Sequence, residues 1–581
     1  MKKLSQFEEI WVVDFEYRCP DGDLPTTHCM VAREIRSRRV IRFFKEELSE
    51  MRSAPFDTTD RSLFVAYYAP AEFGCFLELG WDFPTNTLDL YAEFRRLICG
   101  NPHAVEWSLV AALDHFNLAQ HTPTEKDEWR GVAIRGGPFS ESERKGLLDY
   151  CQKDVEAASL ILNKILKSIH IPHALIRGRY MQSVARMERN GIPIDMTIFK
   201  KLKDNWDTIK MGLIAKTDIH GIYIDGAFSK KRFAKLLADK KIAWPRLPVP
   251  DKGLKLTDEV FRGKARIHPE IIAPYYELRS SLSRLKLAKL CVGSDGRNRT
   301  MLSPFRSDTG RNQPSNSRFI FGPSTWIRGL IKPPPGRFIA YIDWSQQELG
   351  IAAALSGDVK MMEAYNSGDP YLKFAQMAGA VPENATKQTH PQERAAYKVC
   401  MLAVQYGMGP EALAGLLSKT RHDANRLHQS HRDTFPEYWR WNERILDHGL
   451  GNGQLETVFG WRRLVNEDSK PASAGNFPVQ ANGAEMLRLA ITRMHEEGVK
   501  VAAPIHDAVL VEGQIEHTQN IVATTQRCMR YASRIVLNGF ELDSDVKVVT
   551  YPGRYMDEDR GADFWNNVMT LIGSKESRYR S

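Results

Sequence analysis

At 581 residues the chain is too long for one ordinary core, and its 43% hydrophobic and 26% charged residues are those of a folded, multidomain, soluble protein. No apolar run approaches the length of a membrane span, and Glu8, Glu9 and Asp14 interrupt what would otherwise follow Lys2 and Lys3 as a secretory leader. The net charge of +9 permits a polyanionic partner without requiring one, and eight scattered cysteines with no CxxC pair exclude a zinc knuckle and read as reduced thiols of a cytoplasmic chain.

Residues 10–165 alternate strand-like runs (WVVDFEY, SLFVAYYA) with the helical pattern ERKGLLDYCQKDVEAASLILNKIL, which predicts an α/β domain. Asp14 and Glu16 lie two apart in the first strand and so share one face, where two carboxylates repel unless protonated or bridged by cations; a solvated polar face is the plainer reading. TLDLYAEFR supplies Asp89. Tyr150 and Asp154 fall one turn apart on one helix face. Residues 170–300 are mostly helical and rich in Lys and Arg, with LRSSLSRLKLAKL as the clearest basic amphipathic stretch. The Pro-rich WPRLPVP and IKPPPG mark boundaries or rigid turns.

Beyond residue 300 strands and helices mix, with a helical insertion over 386–440. RFIAYI reads as a strand ending at Asp343, followed by a helix through Glu348 to Leu355; a lone aspartate in that place most often caps a helix. In PQERAAYKVCMLAVQYGMG, Arg394, Lys398, Leu402 and Tyr406 recur every four residues and share one broad helix face, with Thr389 and Gln392 as a capping box and Gly407 as the helix end. PIHDAVLVEG reads as strand, tight turn and strand, with His506 and Asp507 in the turn. A carboxylate between two apolar strands is costly unless something positive compensates it.

Taken together these stretches resemble known families. Asp14-x-Glu16, a middle carboxylate and Tyr150-x-x-x-Asp154 are similar to the DEDD-type 3′→5′ exonucleases, in which four carboxylates hold two divalent ions on a phosphodiester. The middle ligand departs from the pattern: Glu72 stands where an aspartate is expected, and Asp89 is the alternative. Asp343-Trp-Ser-Gln346-x-Glu348 resembles motif A of family A DNA polymerases, and His506-Asp507 resembles motif C. The helix bearing Arg394 to Tyr406 resembles their fingers helix, and SDTGR, NFPVQANGAEM and MERNGIPID match further blocks.

The resemblance covers roughly residues 10–555 and implies an α/β and α+β multidomain fold. An RNase H-like exonuclease domain (1–168) would precede a right-hand polymerase with thumb (169–300), palm (301–385 with motif A, 441–581 with motif C) and fingers (386–440). It implies Asp343 and Asp507 as metal ligands for nucleotide addition, and Asp14, Glu16, Glu72 and Asp154, assisted by Tyr150, for exonuclease chemistry. Arg394 and Lys398 would take the triphosphate, with Gln346, Glu348, Leu402 and Tyr406 also facing the incoming nucleotide; Arg311, Asn476, Gln480 and His506 would contact DNA. Two Mg2+ ions per active site (Mn2+ substituting), primer-template DNA and dNTPs are the implied cofactors and partners, for a monomer replicating phage or mobile-element DNA in the cytoplasm of its host, with a helicase, primase or processivity factor left open. Ala508 replaces the family's motif C glutamate, Leu402 an aromatic residue, Ala472 an arginine, and SNSRFIFGPSTWIRGLI stands where an N-L-Q-N-I-P block belongs. The competing readings are a polymerase with an inactive exonuclease domain and a non-catalytic DNA-binding relic.

Overall fold

The computed structural model describes residues 2–103, 106–118, 123–247, 253–284, 287–322, 324–417, 419–558 and 561–573. Parts of WPRLPVP (248–250) and of the basic stretch LRSSLSRLKLAKL (285–286) lie outside the described residues.

Five strands open the chain: β1 (Glu9–Arg18), β2 (Thr26–Glu34), β3 (Val40–Phe44), β4 (Ser62–Ala66) and β5 (Thr87–Asp89). They form one sheet in the order β3-β2-β1-β4-β5, antiparallel from β3 to β1 and parallel from β1 to β5. The pleat sends Trp11, Val13 and Phe15 into one apolar cluster and Ile10 and Val12 into another, so the sheet is covered on both faces. Helices α1 (Pro70–Leu79) and α2 (Leu90–Ile98) follow β4 and β5, and α3 (Glu141–Ile165) packs on the Ile10/Val12 face. The same pleat puts Asp14 and Glu16 on the α3 face.

Helix α4 (Ile171–Asn190) ties this layer to the rest of the chain. It packs on α1 and β5 on one side and on α14 and β9, defined below, on the other. The approach to β5 requires Gly178: a Cβ there would lie 1.9 Å from the Thr87 carbonyl oxygen. Next to it, Arg177 and Glu93 form a bidentate pair at 2.5 and 3.0 Å, with side chains only 2% and 1% exposed, and Arg96 adds a third charge at 3.4 Å. Helices α5 (Lys230–Asp239), α6 (Asp258–Ile267) and α7 (Pro269–Arg284) then build a separate small core around Phe233, Leu236, Phe261 and Tyr275.

The second sheet is assembled from distant segments. Strand β6 (Arg337–Trp344) leads into α8 (Gln347–Ser356), α9 (Pro370–Met377), α10 (Pro391–Gln405), α11 (Pro410–Leu417), α12 (Arg421–Thr434) and α13 (Pro436–Asn452). A short hairpin of β7 (Gln454–Glu456) and β8 (Arg462–Leu464) precedes the long α14 (Pro471–Glu496); β9 (Lys500–Ile505), β10 (Ala508–Gln514), α15 (Thr518–Val536) and β11 (Ser544–Thr550) follow, and a last helix spans Ala562–Leu571. The strands lie β9-β10-β6-β11, all antiparallel.

The expected strand ending near Asp343 and the strand–turn–strand at 504–513 are present as β6 and as β9 and β10. The expected capping box at Thr389 and Gln392 is not. Pro391 fixes the first turn of α10, which makes His390 the N-cap, without a side-chain cap bond. Thr389 sits one residue too early, and its hydroxyl bonds to His390 Nδ1 (2.8 Å) and to the Thr386 backbone carbonyl (3.2 Å). Gly407 does end the helix, at φ +70 just past it.

The buried ion pair yields a stability test. Arg177→Met leaves Glu93 buried with only Arg96 as counter-charge, which is expected to cost about 3 kcal/mol in chemical denaturation. Arg432→Met, which breaks an exposed 2.7 Å pair with Glu443, is expected to cost under about 1 kcal/mol.

Candidate functional site

Two groups of carboxylates are assembled, one on each sheet. In the N-terminal layer, Asp14 and Glu16 from β1 and Asp154 from α3 present carboxylate oxygens that all lie within 4.8 Å of one another. Cys151 Sγ donates to the Asp14 carbonyl at 3.1 Å, which fixes the helix against the strand one turn before Asp154. Tyr150, one turn back on the same helix, is buried against this group. Burial and the neighbouring Asp154, Glu16 and Asp14 hold its phenol far above the ordinary range, so it stays a neutral donor.

Glu72 stands beside this trio, outside its 4.8 Å circle. It lies in the first turn of α1 and is buried, and its Oε2 accepts the Phe15 N–H at 2.9 Å. Burial, followed by the charges of Asp14 and Glu16, pushes its carboxyl well above the usual range. Asp89 is elsewhere. It caps α2, accepting the Ala92 N–H at 2.7 Å and the Ala69 N–H at 2.6 Å, and burial raises it to about 7. The structure therefore brings Glu72, not Asp89, to the trio.

In the second sheet, Asp343 pairs across the ladder with Ala508 on β10, immediately after Asp507 in the turn. His506 holds the left-handed conformation that the tight turn needs, at φ +57. The Asp343 carboxyl is raised to about 6 by burial and then by the charges of Asp507 and Asp545. Asp507 is also raised, by burial first, while Arg311 and His506 oppose the shift. The charge of Arg311 supplies part of the compensation a carboxylate between apolar strands requires.

Asp545 was not among the sequence candidates. It sits directly opposite Asp343 on β11, the other neighbour of β6, and accepts the Ser345 hydroxyl at 2.8 Å. Nothing local marks it, because its place depends on a register between segments 200 residues apart.

Above these aspartates, Glu348 in the first turn of α8 collects two donors. Tyr406, at the end of α10, gives its hydroxyl at 2.9 Å, and Gln480 of α14 gives its amide to the same oxygen. Gln346 precedes α8 in a left-handed conformation at φ +43 and makes no side-chain cap bond. Along α10, Arg394 Nε donates to Asp369 Oδ2 at 2.6 Å, and Arg394 and Lys398 both face the ring of Tyr371, at 5.6 and 5.5 Å from its centroid. Asp369 and Tyr371 are the other residues that sequence reasoning missed; only the three-dimensional approach of α9 to α10 reveals them. Leu402 is half-buried on the same helix, and Asn476 lies half-buried on α14, one turn before Gln480.

Both carboxylate groups offer only hard oxygen donors, which suit Mg2+ or Mn2+ and not zinc or copper. Like charges at such separations also make the ion-free sites costly at neutral pH. Asp343 has a folded pKa above its unfolded one, so the folded state binds more protons between about pH 4 and 6 and loses stability as pH rises through that window. Asp343→Asn is therefore expected to melt above the wild type at about pH 7 without divalent ions, with the gap shrinking toward about pH 4. A gap that stays constant with pH would show that the strain at Asp343 is steric rather than electrostatic.

Three comparisons with known proteins bear on this arrangement. The family model for DNA polymerase family A matches residues 227–552, more than half of the chain. The "DNA polymerase" of Mycobacterium phage L5 is 24% identical over 359 residues, 55% of this chain and 58% of that protein. "DNA polymerase I" of Aquifex aeolicus is 24% identical over 386 residues, 63% of this chain and 65% of that protein. The chain thus spans less than two thirds of these relatives, and only 26% of the Thermus thermophilus "DNA polymerase I, thermostable" that it matches at 28% identity. Among solved structures, the "POL domain of Pol1 from M. smegmatis complex with DNA primer-template and dNTP" aligns with a TM-score of 0.71. That alignment covers 94% of this chain and 96% of the other at 18% identity, a likeness of fold.

Proposed function

The chain belongs to DNA polymerase family A, and from that premise we propose that it extends a primer 3′ end with dNTPs on a DNA template and trims it 3′→5′ in its N-terminal layer. The observation that carries the reading is the placement of Asp343 and Asp507 side by side at one end of β6 and β10, under the Glu348–Tyr406–Gln480 cluster. A purely structural sheet has no use for two neighbouring carboxylates that are both raised by burial, one of them further by the charge of the other.

Divalent ions bound to these carboxylates would align the reacting oxygens and neutralise charge on the transferred phosphoryl group. The chain's own residues do the rest. Asp343 and Asp507 hold the site's negative charge at the strand ends, and Arg311 and His506 restrain it from the turn side. Lys398 and Arg394 supply charge-assisted donors for a triphosphate. Arg394 has to exchange Asp369 for the phosphate, so part of its charge is satisfied in advance. Glu348, held by two donors, presents its carboxylate edge where a sugar 2′-hydroxyl would have to fit, which favours deoxynucleotides.

In the N-terminal layer Asp14, Glu16 and Asp154 form the ligand trio, with the Tyr150 phenol as a neutral donor to an attacking water. Glu72 stands beside them, its Oε2 held by the Phe15 N–H at 2.9 Å. Its place outside the circle of the trio also favours a second reading, a polymerase whose exonuclease domain is inactive. We propose the division into exonuclease-like (1–168), thumb (169–300), palm and fingers segments on the same basis, with primer-template DNA and dNTPs as partners in phage DNA replication.

Primer extension with Mg2+ tests both activities. Asp343→Asn and Asp507→Asn are each expected to slow extension by at least about a hundredfold while leaving shortening without dNTPs intact. Extension near the wild-type rate in either variant removes the assignment. Asp154→Ala is expected to abolish shortening and spare extension, and Asp89→Ala to spare both if the protein remains folded. Loss of shortening in a folded Asp89→Ala would return that residue to the site. Glu348→Ala is expected to raise ribonucleotide incorporation relative to deoxynucleotides; an unchanged ratio rejects its role at the sugar.

A further inference from the structure

Asp343 has a neighbour on each side within the second sheet. Across the ladder its partner on β10 is Ala508, and on β11 it is Asp545. Directly opposed residues of antiparallel strands point to the same face, with Cβ atoms about 5 Å apart. One flank of Asp343 therefore carries a second carboxylate, and the other a buried methyl group. Ala508 is also the place where the motif C glutamate is missing. Like charges directly opposite each other weaken a strand pair. Burial, Asp507 and Asp545 raise the Asp343 carboxyl, and what opposes them is a backbone hydrogen bond rather than a cation. The pair of Asp343 and Asp545 is thus a cost to the empty sheet.

Asp545 is a fixed group and not a loose surface charge. Its Oδ2 accepts the Ser345 hydroxyl at 2.8 Å. Ser345 follows β6 directly and is bound on two further sides: its N–H donates to the Asp543 carbonyl at 2.9 Å, and its own carbonyl accepts the Tyr365 hydroxyl at 3.1 Å. The Asp543 N–H donates in turn to the Tyr365 oxygen at 3.2 Å. The buried Tyr365 phenol thus clamps the exit of β6 to the entry of β11. Because β11 is the edge strand, the Asp545 side chain is exposed, and the bond from Ser345 leaves Oδ1 to solvent. An oriented, hydrated carboxylate can face a hydrated cation with little desolvation cost. Asp343, Asp507 and Asp545 do not converge on one point, since among the described residues only the N-terminal trio brings three such oxygens within 4.8 Å of one another. Asp545 therefore stands beside the pair of Asp343 and Asp507, in reach of its field.

We propose that Asp545 is a positioning carboxylate of the polymerase site, supplying from β11 a third negative charge that strengthens the hold of Asp343 on a divalent cation. It acts through Asp343 and through the field at the strand end, where a single charge near a dication outweighs its repulsion of one carboxylate. A merely structural residue at this position would need an acceptor for the Ser345 hydroxyl and no charge. Asparagine would supply that acceptor without repelling Asp343. The inference rests on the proposed polymerase reading, and its failure is separable from the failure of that reading.

The test is Mn2+ binding to the full chain without DNA or nucleotide, followed by loss of the free-ion electron paramagnetic resonance signal. Asp154→Ala serves as the parent, so that the N-terminal trio does not contribute. Asp545→Asn keeps an oxygen for the Ser345 hydroxyl and removes only the charge. It is expected to weaken Mn2+ binding about three- to tenfold. With Asp343→Asn already in place, the same change is expected to have no further effect. Unchanged affinity overturns the proposal, and so does an equal loss in both backgrounds, which would assign Asp545 to a separate ion. Glu541→Gln removes an exposed carboxylate ahead of β11, 3.8 Å from Arg534, and is expected to bind as the parent does. A matching loss there would reduce the effect to bulk charge and overturn the proposal as well. In primer extension by the otherwise unaltered chain, Asp545→Asn is expected to raise the KM for Mg2+ by a similar factor while kcat stays within about twofold. A fall in kcat that excess Mg2+ does not recover, with Mn2+ affinity unchanged, would make Asp545 structural and overturn its positioning role. A wild-type chain that shows the Asp545-dependent Mn2+ binding and extends no primer would sink the polymerase reading instead.

Discussion

Asp343 and Asp507 repel each other, and the second sheet exists in a form that holds them together regardless. The two aspartates come from segments 164 positions apart in the chain. They meet because Ile342, Val509 and Leu510 beside them are fully buried and keep β6 and β10 in one register. A slip by one residue would turn the apolar set out and carry Asp343 to the opposite face. The cost of crowding the charges is visible at Asp343, whose carboxyl is raised by burial and then by Asp507 and Asp545. It is offset in part by Arg311 and His506, and it is borne by the apolar ladder, whose burial is worth on the order of 2 kcal/mol for each large side chain. The same logic governs the N-terminal layer, where α3, seated on β1, forces Asp154 toward Asp14 and Glu16.

What the sequence disclosed follows from the range of the interactions concerned. Asp14 with Glu16, and Tyr150 with Asp154, are legible because strand and helix periods place them locally. Asp343 and His506-Asp507 are legible because each lies in a short apolar stretch with its own strand signature. Asp545 and Asp369 carried no such signal. One depends on β11 pairing with β6, and the other on α9 lying against α10. Thr389 was misplaced because the S/T-x-x-E/Q pattern says nothing about a proline two residues on that fixes the helix start. The choice between Glu72 and Asp89 turned on tertiary structure too, since only the fold shows both oxygens of Asp89 consumed by backbone N–H groups.

The two carboxylate groups are tied by a shared interior. One continuous cluster of buried apolar residues includes Trp11 and Phe76 of the first layer as well as Ile342 and Val509 of the second sheet. Its polar counterpart runs through Glu93, Arg177 and Arg96, and through Arg462 on the carbonyls of α2. Burying such a network is rarely the most stable solution, since well-packed apolar residues often do as well. Its use here is orientation: Arg177 also donates to the Phe459 carbonyl at 2.9 Å, so a single guanidinium reads the position of both α2 and the β7–β8 hairpin. A displacement of either element would leave Glu93 buried beside unmatched charge.

The distribution of charge explains how an acidic pair of sites can serve a polyanion. Carboxylates gathered at a sheet end repel phosphate through a low-dielectric medium, where the interaction is stronger than in water. The excess of nine positive charges is too small, spread over 581 residues, to overcome this by bulk attraction. Attraction has to be local. The charge of Arg311 acts on Asp507, Arg394 and Lys398 flank Tyr371 along α10, and Arg306 and Arg463 line a cavity at the edge of the N-terminal layer. Two of these cations are already engaged: Arg394 with Asp369 and Arg463 with Ser473. Each is thereby held in one orientation before a phosphate arrives, which lowers the ordering cost of binding long, flexible side chains to it. The Asp369 carboxylate and the Ser473 hydroxyl hold those two guanidinium groups at 2.6 and 2.9 Å, so neither arginine has to be ordered from a free side chain.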